Sequence, residues 1–227
     1  MNLSKYICLL SSTILLSFSI HIPSAKADSP LTSTDLTPGY ENLAIVRQLQ
    51  VNKTMNQDVV DFLLSGASLD QKAAVINALG WNIEGQNNGE LFLQGLLRKK
   101  RMKSIQQLQL KDLTAEDKFV LGYLLAMDDY FNLSPLDAKS RQGVLTATPL
   151  ELLSQSAFAL PDDFTVHFVK SLVEAQLNFS NSWCSIYLAP TEVLRLFPEN
   201  RRNLNPQAVS KAMEYMNLYR DNCFGYD

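Results

Sequence analysis

Two adjacent carboxylates, Asp128 and Asp129, close a strongly apolar run that carries Phe119, Val120, Leu121, Tyr123, Leu124, Leu125 and Met127. Acids at the C-terminal end of a helix oppose its macrodipole, where cations are favoured. A local rule broken without an evident gain marks function or a distant partner. A carboxylate pair could serve glycoside hydrolysis, but neighbours on a helix point about 100° apart, poor geometry for flanking one bond. The plainer expectation is that both acids meet cations elsewhere in the fold, or that the helix runs on to Phe131.

His167 is the only histidine after residue 27, and histidine is the side chain that ordinarily titrates near neutral pH. Ser171 and Glu174 follow it on the same helical stripe. One straight helix spreads the three over about 10 Å, so a bonded triad is not expected and His167 reads as structural. Glu84-Gly85-Gln86-Asn87-Asn88-Gly89 imitates the start of a calcium loop, yet its twelfth position is Gly95, where a bidentate Glu is required. A polar turn between helices is expected there. Arg98, Lys99, Lys100 and Arg101, with Lys103, form a basic run at a predicted helix end. The dipole favours cations there, and the functional reading is a patch for an anionic membrane surface or an acidic partner. Zinc-protease, serine-elbow, P-loop and dinucleotide motifs are absent, and neither a metal nor another cofactor is expected.

The elements that must position these residues read as helices almost throughout residues 40–227. Leu43, Val46 and Leu49 share one face, and Asn56 can cap a second helix closed by Gly66. Ser68 to Gln71 has the S-x-x-Q form of a capping box. Helices are predicted after Asn88-Gly89, after Thr114, over 149–159, over 161–177, over 190–197 and from Asn205-Pro206 to Cys223. No alternating strand pattern occurs. Residues 59–80, above all Gln71-Lys72-Ala73-Ala74-Val75-Ile76-Asn77-Ala78-Leu79-Gly80, resemble one helical hairpin of a HEAT-type repeat. That resemblance implies helical hairpins stacked in an α-solenoid-like way. No second copy lies in register, and an irregular arrangement is expected, since a solenoid usually needs three or more units.

Residues 1–27 join Lys5, an apolar run over 7–20 and the small-residue ending Ala25-Lys26-Ala27 before Asp28. This reads as a secretory signal cleaved between Ala27 and Asp28. No later segment is long and apolar enough to span a bilayer. Removing the signal takes Lys5 and Lys26 from the 20 basic residues, leaving 18 against 23 acids and a net charge of −5 on 200 residues. Nucleic acid is therefore not the expected partner. Cys8 leaves with the signal, and Cys184 and Cys223 remain as an even pair in an exported chain, which predicts a disulfide over buried thiols.

The expected fold is an irregular all-α domain of packed hairpins with one disulfide, spanning residues 40–227. Residues 28–39, rich in Ser, Thr and Pro, are expected to be a flexible lead-in. The expected function is a non-enzymatic protein-interaction or binding module in the periplasm or outside the cell, with protein as partner. The alternative is a cell-envelope hydrolase using Asp128, Asp129 or Glu174.

Overall fold

Thr114 sets the pattern for this chain: its hydroxyl accepts from the Asp117 amide while the Asp117 carboxylate accepts from the Thr114 amide, a reciprocal cap that starts a helix abruptly. The computed structural model describes residues 29–140 and 143–223, and among these it contains nine α-helices and no strand. They are α1 Ala44–Asn52, α2 Gln57–Leu63, α3 Leu69–Leu79, α4 Asn88–Lys100, α5 Ala115–Asp128, α6 Pro149–Ala159, α7 Phe164–Leu177, α8 Trp183–Leu196 and α9 Pro206–Asn217. The proposed signal, Cys8 and the Ala27-Asp28 junction lie outside the described residues.

Every residue of α5 from Phe119 to Asp128 is buried, because the helix is apolar on all sides and packs against α3, α4, α6 and α7. Gly122 lets α6 approach closely. A methyl group there would stand 3.0 Å from Leu152 Cβ and from the Pro149 carbonyl oxygen. The helix ends at Asp128 and does not continue to Phe131. α7 in turn packs on α6 and α8, and α8 on α9.

Four local readings need correction. The last helix, α9, ends at Asn217, and Cys223 belongs to the separate 3-10 turn Arg220–Cys223. Ser68 precedes α3 in extended conformation, but its side chain makes no cap; α3 is held instead by burial of Leu69 and of residues 72–79. α7 begins at Phe164, three residues after Pro161, where the Asp163 side chain caps the Val166 amide. α8 begins at Trp183, not Pro190: Ser182 caps the Ser185 amide, and the buried Pro190 is accommodated inside the helix.

The largest correction concerns residues 28–39. From Ser29 onward this segment is not a loose lead-in: Leu31 and Leu36 are 1% and 0% exposed. The Asn77 amide on α3 accepts from the Leu36 amide at 2.8 Å and donates to the Thr34 carbonyl at 3.1 Å. Trp81 donates to the Thr32 carbonyl, and Gln176 on α7 accepts from the Leu31 amide. Its polar composition suits a chain whose main-chain groups are met by side chains, so no periodicity was needed or present.

Candidate functional site

The junction of α7 and α8 is fixed covalently. Cys184, in the first turn of α8, is bonded to Cys223 in the 3-10 turn Arg220–Cys223 after α9, with Cα atoms 4.8 Å apart. Tyr219 lies at the centre of an aromatic group, its ring 6.4 Å from Phe179, 6.4 Å from Trp183 and 5.3 Å from Tyr215. The two tyrosine hydroxyls share a hydrogen bond of 2.7 Å. Edge-to-face packing of this kind adds about 0.5–1.5 kcal/mol per pair beyond area burial. The ends of α7 and α9 and the start of α8 are thereby tied together.

Large apolar side chains stand exposed around this rigid end: Phe131 at 81%, Trp183 at 59%, Leu177 at 50% and Leu188 at 43%. Phe131, Leu133, Leu177 and Phe179 line a depression of about 370 Å³ whose far wall is Ser29 and Gln176. On the other side of Leu177 lies a second, more open depression, lined by Leu150, Glu174, Leu188 and Glu192 among others. Trp183 borders a third, polar hollow that shares Ser180 with the first. Leu177 thus lines both apolar depressions, and the polar hollow beside Trp183 meets the first of them at Ser180.

Asp129 belongs to this surface as a positioning residue. Its carboxylate accepts from both the backbone and the side-chain amide of Asn132, and its carbonyl accepts from Leu133 at 2.8 Å. The tight turn holds Leu133 at φ 52°, a left-handed conformation that costs a non-glycine residue roughly 1–2 kcal/mol. Phe131 is thereby turned outward while Leu133 is buried. Strain of this sort, held by its surroundings, concentrates at functional sites.

Asp128 is turned the other way. Its Oδ2 accepts from the Gly89 amide at 2.7 Å, at the N-terminus of α4, and its carbonyl accepts from Gln86. The charge that opposes the dipole of α5 therefore favours that of α4. A Cβ at Gly89 would come 2.6 Å from Leu125 Cδ2 and 3.4 Å from the Asp128 carboxylate, so a larger residue there would have to displace the Leu125 side chain. Residues 84–89 are the polar turn that brings α4 onto Asp128, and among the described residues no group of three His, Cys, Asp or Glu could hold a metal ion. Burial pushes the Asp128 carboxyl up to about 6 against the opposing hydrogen bonds from Gly89 and Asn88, and its Oδ1 has no hydrogen-bond partner among the described residues.

A carboxyl whose folded-state pKa is raised stabilises the fold in its protonated form, fully below about pH 4, and loses that contribution as pH rises through about 6. A rise of that size is worth about 3 kcal/mol. Asp128→Asn should keep the acceptor for Gly89 without the charge. It should be the more stable chain at pH 7 and should lack wild type's loss of stability between pH 4 and 7. Urea midpoints across that range decide the matter, and parallel curves for the two proteins would refute it.

The other sequence candidates take separate structural places. Arg98 donates to the Gln57 side chain at the start of α2 and Lys99 to the Leu64 carbonyl at its end, so these cations fasten α4 to both ends of α2; Arg101 ends α4 in the left-handed conformation. Lys100 lies in the same last turn. His167 packs 5.2 Å from the Phe197 ring, and burial, followed by the charge of Lys170, lowers its pKa. The Ser171 hydroxyl donates to its own helix at Phe168, and Glu174 pairs with Lys170, so the three form no triad. Phe131, Leu177 and Leu188 carried no signal in sequence: each differs from a core residue only in what fails to cover it. No known protein family, no curated protein and no solved structure matches this chain.

Proposed function

We propose that this chain is an exported protein-interaction module acting in the periplasm or outside the cell, without enzymatic activity. The exposed apolar side chains of Phe131 and Leu177 beside a shared depression, with Trp183 and Leu188 bordering the neighbouring ones, carry this reading, since exposed apolar patches mark sites of association and aromatic anchors dominate their energetics. The N-terminal run ending in Ala25-Lys26-Ala27 supports export, as does the bond between the two cysteines that remain after it. Among the described residues no helix is long and apolar enough to cross a membrane. The partner expected is a protein that offers apolar side chains to the depression beside Leu177, with Glu174 and Glu192 at its edge. The candidate carboxylates support this reading over hydrolysis, because Asp128 caps α4, Asp129 shapes a turn and Glu174 pairs with Lys170.

A photo-crosslinking amino acid at Leu177 tests it in the protein's own host. A defined protein adduct is expected there and not from the same probe at the exposed Phe158, and Phe131→Asp should weaken the purified pair at least tenfold. No adduct at Leu177, joined to hydrolysis of cell-wall glycan that Asp128→Asn abolishes, would replace this reading with the hydrolase.

A further inference from the structure

Residues 29–40 lie against α1, α3, α5 and α7 in a manner unlike the rest of the fold. Successive main-chain groups, the Leu31 amide, the Thr32 carbonyl, the Thr34 carbonyl and the Leu36 amide, are met by side chains of Gln176, Trp81 and Asn77, which lie 41 to 145 residues away. Asn77 is the centre of this recognition. Its amide spans residue 35, accepting from Leu36 and donating to Thr34, while the same Nδ2 donates to the buried Tyr123 hydroxyl. Such contacts read a backbone irrespective of sequence.

Sequence is read by three buried anchors. Leu31, Leu36 and Tyr40 are 1%, 0% and 6% exposed. The Tyr40 hydroxyl donates to Asp70 at 2.8 Å and accepts from the Asn205 amide at 2.9 Å. The segment does not fill its seat: beside it, between Asp35 and Lys53, remains a polar hollow of about 230 Å³ floored by Ala78 and Trp81. Main-chain recognition for affinity and side-chain pockets for specificity are the two components of peptide binding.

We infer that this seat is a receptor site for a peptide turned at both ends, with leucines five residues apart and a tyrosine four further on, occupied here by the chain's own residues 29–40, which turn at 29–33 and 37–40, as an exchangeable ligand. The site adjoins the Leu177 surface: Ser29, at the start of the segment, and Gln176, which meets the Leu31 amide, both line the depression there. The inference does not depend on the proposed function: it requires only that the segment bind noncovalently and be replaceable.

The full exported chain, with a protease site inserted between the exposed Glu41 and Asn42, provides the test. After cleavage the N-terminal fragment should stay bound, the helical circular dichroism should be unchanged, and excess labelled peptide of residues 29–41 should exchange into the seat. Leu31→Asp or Leu36→Asp in that peptide should weaken uptake at least tenfold, as should Asn77→Ala in the protein. Three outcomes would overturn the inference. The nicked protein takes up no labelled peptide, whether it keeps or loses its fragment. The Leu36→Asp peptide enters as well as the parent. Cleavage collapses the helical signal, which makes the segment an inseparable part of the core.

Discussion

Replacing Cys184 and Cys223 together by Ser is expected to lower stability by about 4 kcal/mol, the value the chain-entropy model assigns to a closed loop of about 40 residues. The bond joins residues 39 apart, so the unfolded chain loses considerable freedom when it is present. The folded protein loses less from its removal, because Tyr219 still packs between Phe179 and Trp183 and α9 still buries Val209, Ala212, Met213 and Met216. For a domain near 200 residues each kcal/mol moves Tm by about 2–4 °C, so a fall of roughly 8–16 °C is anticipated. Calorimetry of wild type with and without reductant, beside the double variant, measures it. The reduced wild type and the variant should coincide. A shift under 2 °C would show that the aromatic group alone holds the junction, and that the bond adds nothing the contacts do not already secure.

What could be read from sequence was whatever neighbours enforce. Thr114, Pro149 and Asn205 with Pro206 mark helix starts through local signals, the two caps reaching three and two residues, and the structure places α5, α6 and α9 at those marks. The disulfide was legible by counting once Cys8 is assigned to the proposed leader. Ser68 failed as a cap although it carried the same local pattern, because burial on nearly every face of α3 decides that helix.

The candidate sites were harder for a related reason. Asp128 looked misplaced on α5 because its partner, the N-terminus of α4, lies 39 residues earlier in the chain. Residues 29–39 read as flexible because the side chains that meet their backbone come from α3, Trp81 and α7. Exposure of Phe131 and Leu177 is likewise a property of what the fold leaves uncovered. Local propensity cannot carry any of these, as each is an interaction between distant parts of the chain.

Asn77 joins more of these distant parts than any other polar side chain in α3, and Asn77→Ala is expected to cost about 3 kcal/mol. The substitution leaves the Leu36 amide and the Thr34 carbonyl without their partner and deprives the buried Tyr123 hydroxyl of its acceptance from Nδ2. Each unmet buried group costs about 1–3 kcal/mol, which would total more than the expected loss if nothing moved. Relief is available through the segment itself, because undocking residues 29–37 returns Leu36 and Thr34 to water while α5 stays packed. The loss should therefore fall unevenly. Hydrogen exchange at the Leu31 and Leu36 amides should quicken about a hundredfold, the factor that roughly 3 kcal/mol implies, and the amides of α5 should change little. Asn77→Asp should behave differently: one oxygen can still accept from Leu36, but the other faces the Thr34 carbonyl, and burial raises the carboxyl pKa. Its penalty should be small in acid and grow as pH rises, since a raised folded-state pKa gives stability only to the protonated form. Equal acceleration throughout α3, α5 and the segment in Asn77→Ala would mean that the seat and the core open as one cooperative unit.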